Sequence, residues 1–238
     1  MASVLASAQS ADPYLAWARV LAKHVSERGE VDFHAVAADR RDLDDFVDYV
    51  RRIGPRVVPA AFPGREAELA YYVNAYNALA MFNVIDSGFP QHLGAVRRIL
   101  FFGVKRFTVA GERLSLHSLE NDVIRPLGDE RVHFVLNCMT VGCPRLPREP
   151  LRPAGLNERL DRLAREFFAD PRHLQVVPQR RRVRVSSILS FYRDDFLARS
   201  LTLVDYINRY APSPIPRDYE VEFIEYDWTV NDVPRGPI

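Results

Sequence analysis

The chain has only two cysteines in 238 residues, which excludes a disulfide framework and leaves room for one bond at most. It also lacks an excess of either charge, with 32 basic side chains against 31 acidic ones and a net charge of +1. That balance supplies no global field to gather nucleic acid or an anionic membrane, so binding to either is not expected. No apolar run reaches the roughly 18 residues that a bilayer crossing needs, and no membrane span is expected. Internal repeats, heptads and low-complexity blocks are missing too, which excludes solenoids and coiled coils.

What is present is enough hydrophobic content, 47%, to bury one full core. The start, MASVLASAQSAD, has small residues like those at an export-signal cleavage site, but neither a basic beginning nor a long apolar stretch. It reads as a disordered leader over residues 1–12, ahead of a single domain over residues 13–238. A cytoplasmic placement and an exported, periplasmic one after removal of an upstream signal both fit.

Helical periodicity runs from Ala11 to Val25, and "DRRDLDDFVDYVRRIG" sets Leu43, Phe46, Val47 and Val50 on one face. From Glu68 to Ile85 the pattern is apolar nearly all round, the mark of a helix buried on most sides, yet it includes Asn74, Asn77 and Asn83. Buried amides need partners, so these must bond to backbone or line a polar cavity. "KRFTVAGERLSL" predicts a hairpin turning at Ala110-Gly111, and Ser115 suits the cap of a following helix. On that helix Glu120 falls within the stripe of Leu116, Leu119, Val123 and Ile124, where a carboxylate costs several kcal/mol unless it finds a partner.

"RVHFVLNC" predicts a buried strand with His133, Val135 and Asn137 on one face. It leads into a loop with both cysteines and a Cys143-Pro144 step that suits the cap of a helical turn. A nucleophilic cysteine needs a lowered pKa, and a histidine base needs a third group to hold one tautomer. Cys143 as nucleophile, His133 as base and Glu120 as orienter meet those needs, with Asn77, Asn74 and Asn137 as the polar pocket. His117 is a rival base, while Cys138, Arg125 and Arg145 are secondary candidates. A zinc site from His117, His133, Cys138 and Cys143 has the right ligand count but matches no common spacing, so neither metal nor cofactor is expected.

The stretches "YYVNAYNALAMF", "LSLHSLENDVIR", "RVHFVLNCMTVGCPRL", "SSILSFYRDDF" and "EYDWTVN" occur in the order and rough spacing of a bacterial and plant family named domain of unknown function 547. The chain resembles that family from about Tyr14 to Asn231. It departs from the usual form at Tyr72, where tryptophan is common, and at Arg145, where a second proline is common; Arg145 adds a cation near Cys143 that favours its thiolate. The resemblance implies one domain and places Asn74, Asn77, Glu120, Arg125, His133, Asn137, Cys138 and Cys143 within motifs. It carries no settled activity. Many bacterial members look exported, and some plant members join the domain to leucine-zipper segments, which suits a binding role.

The expected fold is α+β, with helices on a small, mainly antiparallel sheet built from strands near Phe107, His133, Val176 and Val183, joined by Phe223. A papain- or transglutaminase-like arrangement would place cysteine and histidine across a cleft. The expected function is a cysteine-dependent hydrolase or acyl transferase acting on an amide or ester of a peptide or small molecule. One alternative is a non-enzymatic binding or scaffold module with a structural polar network; another is a thiol-disulfide redox protein using Cys138 and Cys143.

Overall fold

The computed structural model describes residues 12–234. The expected leader therefore lies outside the described residues except for Asp12, which pairs with Arg152. Three helices, α1 (Leu15–His24), α2 (Phe33–Ala38) and α3 (Arg41–Arg52), lie ahead of the long α4 (Arg65–Asp86). The all-round apolar pattern has its expected consequence: 17 of the 22 residues of α4 are buried, so the first core forms around it. The amphipathic faces of α1 and α3 close on each other through Trp17 and Phe46, whose rings stack at 5.7 Å.

A short helix, α5 (Ala95–Arg98), runs on into a π-helical turn, Ile99–Val104. The hairpin β1 (Phe107–Val109) and β2 (Glu112–Leu114) follows, turning where expected with Ala110 and Gly111 at positive φ. Ser115 caps α6 (Leu116–Ser118), accepting from the Ser118 N–H, and α6 continues into a second π-helical turn, Leu119–Ile124. The chain then forms α7 (Leu156–Ala169), β3 (Leu174–Val177), β4 (Arg182–Ser186), the short helices α8 (Ile188–Phe191), α9 (Arg193–Leu197) and α10 (Leu203–Ile207), and β5 (Glu220–Ile224). The protein is an α+β fold.

The sheet differs from the expected one. β1 and β2 form a separate ribbon, while β3, β4 and β5 form a three-stranded sheet in which β3 pairs antiparallel and β5 parallel to β4. The expected strand through His133 does not form. Glu130–Phe134 is a 3₁₀ turn capped by Asp129, whose carboxylate accepts from the Arg131 N–H. The reason is packing: Val132, Val135 and Leu136 belong to the first core, while Phe134 belongs to a second, around α7 and the three-stranded sheet. A segment lying between two cores is apolar on all sides without being extended. Cys143-Pro144 likewise starts no helix, because the chain from Val141 to Pro150 is turn and irregular backbone.

The buried amides of α4 hold irregular chain in place. Asn74 donates to the Leu151 carbonyl (2.9 Å) and accepts from its N–H (3.0 Å), and Asn83 donates to the Phe101 carbonyl. Asn74→Ala strands both backbone groups of Leu151 and should destabilise the protein by about 2–6 kcal/mol, from roughly 1–3 kcal/mol per buried group left unpaired. Urea unfolding midpoints check this, with an unchanged slope as the sign that only stability has moved.

Candidate functional site around Cys143

A cavity of about 410 Å³ opens between the two π-helical turns and the cysteine loop, lined by Cys138, Cys143, Glu120, His133, Tyr192, Tyr226 and Trp228 among others. π-Helical turns shift side chains out of helical register, and here they place Phe102 and Glu120 on the cavity wall.

The loop is fixed from two sides. From α4, Asn77 donates to the Val135 carbonyl (3.0 Å) and accepts from the Asn137 N–H (2.8 Å). Asn137 in turn donates to the Pro144 carbonyl and accepts from the Met139 N–H, both at 2.7 Å. From the C-terminal segment, the carbonyls of Thr229 and Asp227 accept from Val141 and Gly142, and Asn231 donates to Met139. These ties hold buried Met139 at a φ of 66°, a left-handed conformation that costs energy for such a side chain. Gly142 is required for proximity, because a Cβ there would lie 2.8 Å from the Tyr226 ring. Its absence lets the phenol reach the sulfurs.

The two sulfurs touch. Cys138 Sγ and Cys143 Sγ are 2.8 Å apart, and both cysteines are free. The Cys138 N–H donates to Cys143 Sγ at 3.0 Å, and the Tyr226 hydroxyl lies 3.1 Å from the same sulfur. Thr140 Oγ1 sits 3.1 Å from Cys138 Sγ and 3.5 Å from Cys143 Sγ. Burial pushes the Cys143 thiol up, but hydrogen bonds from Cys138, Tyr226 and Thr140 outweigh it and bring the group down to about 6. Burial and the neighbouring Cys143 push Cys138 up, and burial together with the two cysteines pushes Tyr226 up. Cys143 is thus the thiolate, and Cys138 and Tyr226 keep protons to donate to it.

The other candidates are arranged differently from the expected triad. The His133 Nε2 is 2.8 Å from Asp195 Oδ2, and its ring stacks on Tyr192 at 3.7 Å. The carboxylate that orients this imidazole is therefore Asp195, with Glu120 set against the Tyr192 hydroxyl. Hydrogen bonds from His133 and Arg125 hold the Asp195 carboxyl well below the usual carboxylate range. Arg125 grips Asp195 with two bonds of 2.8 Å and donates a third to Asn121, which bonds His117. Among the described residues no histidine nitrogen is hydrogen-bonded to Cys143 Sγ, and His133 Nδ1 is buried with no partner. Arg145 points away from the thiolate, to Glu166 at 2.7 Å and the Glu27 carbonyl. Behind the loop, burial pushes His173 down to about 4, and the Cys143 backbone is its hydrogen-bond partner.

Sequence reasoning did not single out Asp195, Tyr192, Tyr226 or Thr140. Asp195 and Tyr192 lie in "SFYRDDF" and Tyr226 in "EYDW", short polar-aromatic stretches whose partners are about 60 to 90 residues away, so no local spacing marks them. Thiol alkylation measured against pH, with the labelled residue mapped by mass, should titrate Cys143 near 6 rather than at the ordinary 8.5 or so. Tyr226→Phe removes one donor to the thiolate and should move that midpoint up by about one pH unit.

No curated protein and no solved structure matches the chain, so the papain- or transglutaminase-like arrangement gains no support from a structural relative. The match to a family model is narrower than the sequence resemblance, and it takes in α4, the π-helical turn with Glu120, the cysteine loop and α7. Residues 60–168 match the model of the family described as protein of unknown function, DUF547, a match that supports assigning the chain to that family.

Proposed function

We propose that the protein is a thiol-dependent enzyme in which Cys143 and Cys138 act together in thiol-disulfide exchange, as one domain from residue 13 onward. The reading is carried by the 2.8 Å approach of two free sulfurs in a cavity wall, one set up as thiolate and the other as its proton-bearing partner. An unequal pair of this kind suits the chemistry, because the attacking sulfur must be ionised near ambient pH.

Cys143 attacks one sulfur of a substrate disulfide. The substrate S–S bond breaks, and the first thiolate leaves with the proton given up by Cys138. Cys138 then attacks Cys143 Sγ in the mixed disulfide, forming the Cys138–Cys143 bond and expelling the second thiolate to solvent. The protein pair is oxidised by two electrons and the substrate disulfide is reduced to two thiols. Sulfurs already in contact need only a small movement to close this ring. Tyr226, 3.1 Å from Cys143 and 3.3 Å from Cys138, is placed to donate to whichever sulfur carries charge.

A second reading, acyl transfer, is favoured by a separate observation: His133 and Glu120 line the same cavity as Cys143. Cys143 then attacks the acyl carbon of an ester or amide, the alcohol or amine leaves with a proton, and water releases the acid from the thioester. His133 Nδ1, the nitrogen without a partner, is the one left to move protons, with loop N–H groups meeting the oxyanion in place of Asn77, whose amide is engaged with Val135 and Asn137. Cys138 has no chemical part in this route.

The two are separated with the aromatic disulfide known as Ellman's reagent. Reduced wild-type protein should release two thionitrobenzoates per chain and end with no adduct, while Cys138→Ala should release one and keep the mixed disulfide in its intact mass. A wild-type protein that also stops at one equivalent, with hydrolysis of an aromatic ester retained in Cys138→Ala, rejects exchange and supports acyl transfer. An inert Cys143 leaves a binding module instead.

A further inference from the structure

The α5 helix and its π-helical extension carry an open apolar face. Val96 (73% exposed), Ile99 (65%), Leu100 (52%) and Val104 (59%) are four of the ten large hydrophobic side chains exposed among the described residues. Their spacing of three, four and eight places them on one side of the helix. The segment is not loosely held. Phe101 is buried, its carbonyl accepts from Asn83, and Phe102 packs edge-on against Phe101 and Trp228.

Along the segment itself charge is all of one sign. From Ser87 to Gly111 the chain has no Asp or Glu, while it has Arg97, Arg98, Lys105 and Arg106. Lys105 pairs with Asp86, and Arg98 lies over the Trp228 ring at 4.3 Å. No ion pair among the described residues involves Arg97, Arg98 or Arg106. The near-zero net charge of the whole chain conceals this local excess.

We infer that this face docks on an anionic lipid bilayer. Apolar side chains flanked by unpaired cations are what an interfacial helix presents: the first enter the acyl boundary and the second meet the phosphates. A second copy of the chain fits less well, because it would bring two sets of these cations together. Arg98 and Phe102 also line the cavity of Cys143, so docking sets that cavity against the lipid surface. The inference does not depend on the chemistry proposed for Cys143.

The test is sedimentation of the full chain with vesicles of phosphatidylcholine alone and of phosphatidylcholine with phosphatidylglycerol. Binding is expected to the second at low salt and to fall as salt rises. Removing each cation by Arg97→Ala or Arg106→Ala should weaken partitioning about fivefold, and the double variant Ile99→Glu with Leu100→Glu should abolish it. An unchanged melting temperature and unchanged Cys143 alkylation show that these variants remain folded. No partitioning by wild type, or equal partitioning by the glutamate variant, overturns the inference. So does a dimer in sedimentation equilibrium that the glutamate variant breaks, since it assigns the face to a second copy.

Discussion

A buried helix surrounded by irregular chain must satisfy not only its own backbone but also the backbone of what packs on it. In this protein α4 meets that constraint with asparagine. The amides of Asn74, Asn77 and Asn83 take the places that neighbouring strands would fill in a sheet, pairing with Leu151, with Val135 and Asn137, and with Phe101. Two segments with little regular hydrogen bonding of their own, and the π-helical turn Ile99–Val104, are thereby held at fixed positions on one rigid element. Two of them, the cysteine loop and the π-helical turn with Phe102, line the cavity.

The cysteine loop owes its shape to this anchor and to the C-terminal segment together. Asn77 fixes the approach at Val135 and Asn137, Asn137 staples both Met139 and Pro144, and residues 227–231 close the far side through backbone bonds. The strained Met139 is affordable only because both neighbours are tied down. The same closure brings Tyr226 over Gly142 and onto the sulfurs. Stability of the loop and activation of Cys143 are therefore one structural problem.

Much of this was legible in the sequence where the signal is local. The helix of α4, the hairpin turning at Ala110-Gly111, the cap at Ser115 and the demand for partners at the buried amides all follow from periodicity, turn chemistry and polar burial. The strand expected at His133 failed because a continuous apolar run has no period, and a seam between two cores gives the same pattern as a buried strand. The expected pairing of His133 with Glu120 is not the one the structure has. Glu120 and His133 do line a cavity with Cys143, but the imidazole is held by Asp195, 62 residues on. The three short helices after β4 decide where Asp195 lies, and nothing local to either residue reports that pairing.

The exchange of carboxylates changes how the site gains its reactivity. A histidine fixed by Asp195 and Arg125, with its ring stacked on Tyr192, is well placed to brace the cavity wall but makes no bond to the sulfur. Cys143 is instead stabilised by donors of its own loop, the Cys138 N–H and S–H, and by the phenol of Tyr226. Two thiols in contact do not both ionise readily, since the second charge would face the first across 2.8 Å. The backbone adds to the asymmetry, because the N–H of Cys138 points at Cys143 Sγ. A proton removed from this pair comes off on the Cys143 side, and Cys138 keeps its own until that charge is spent.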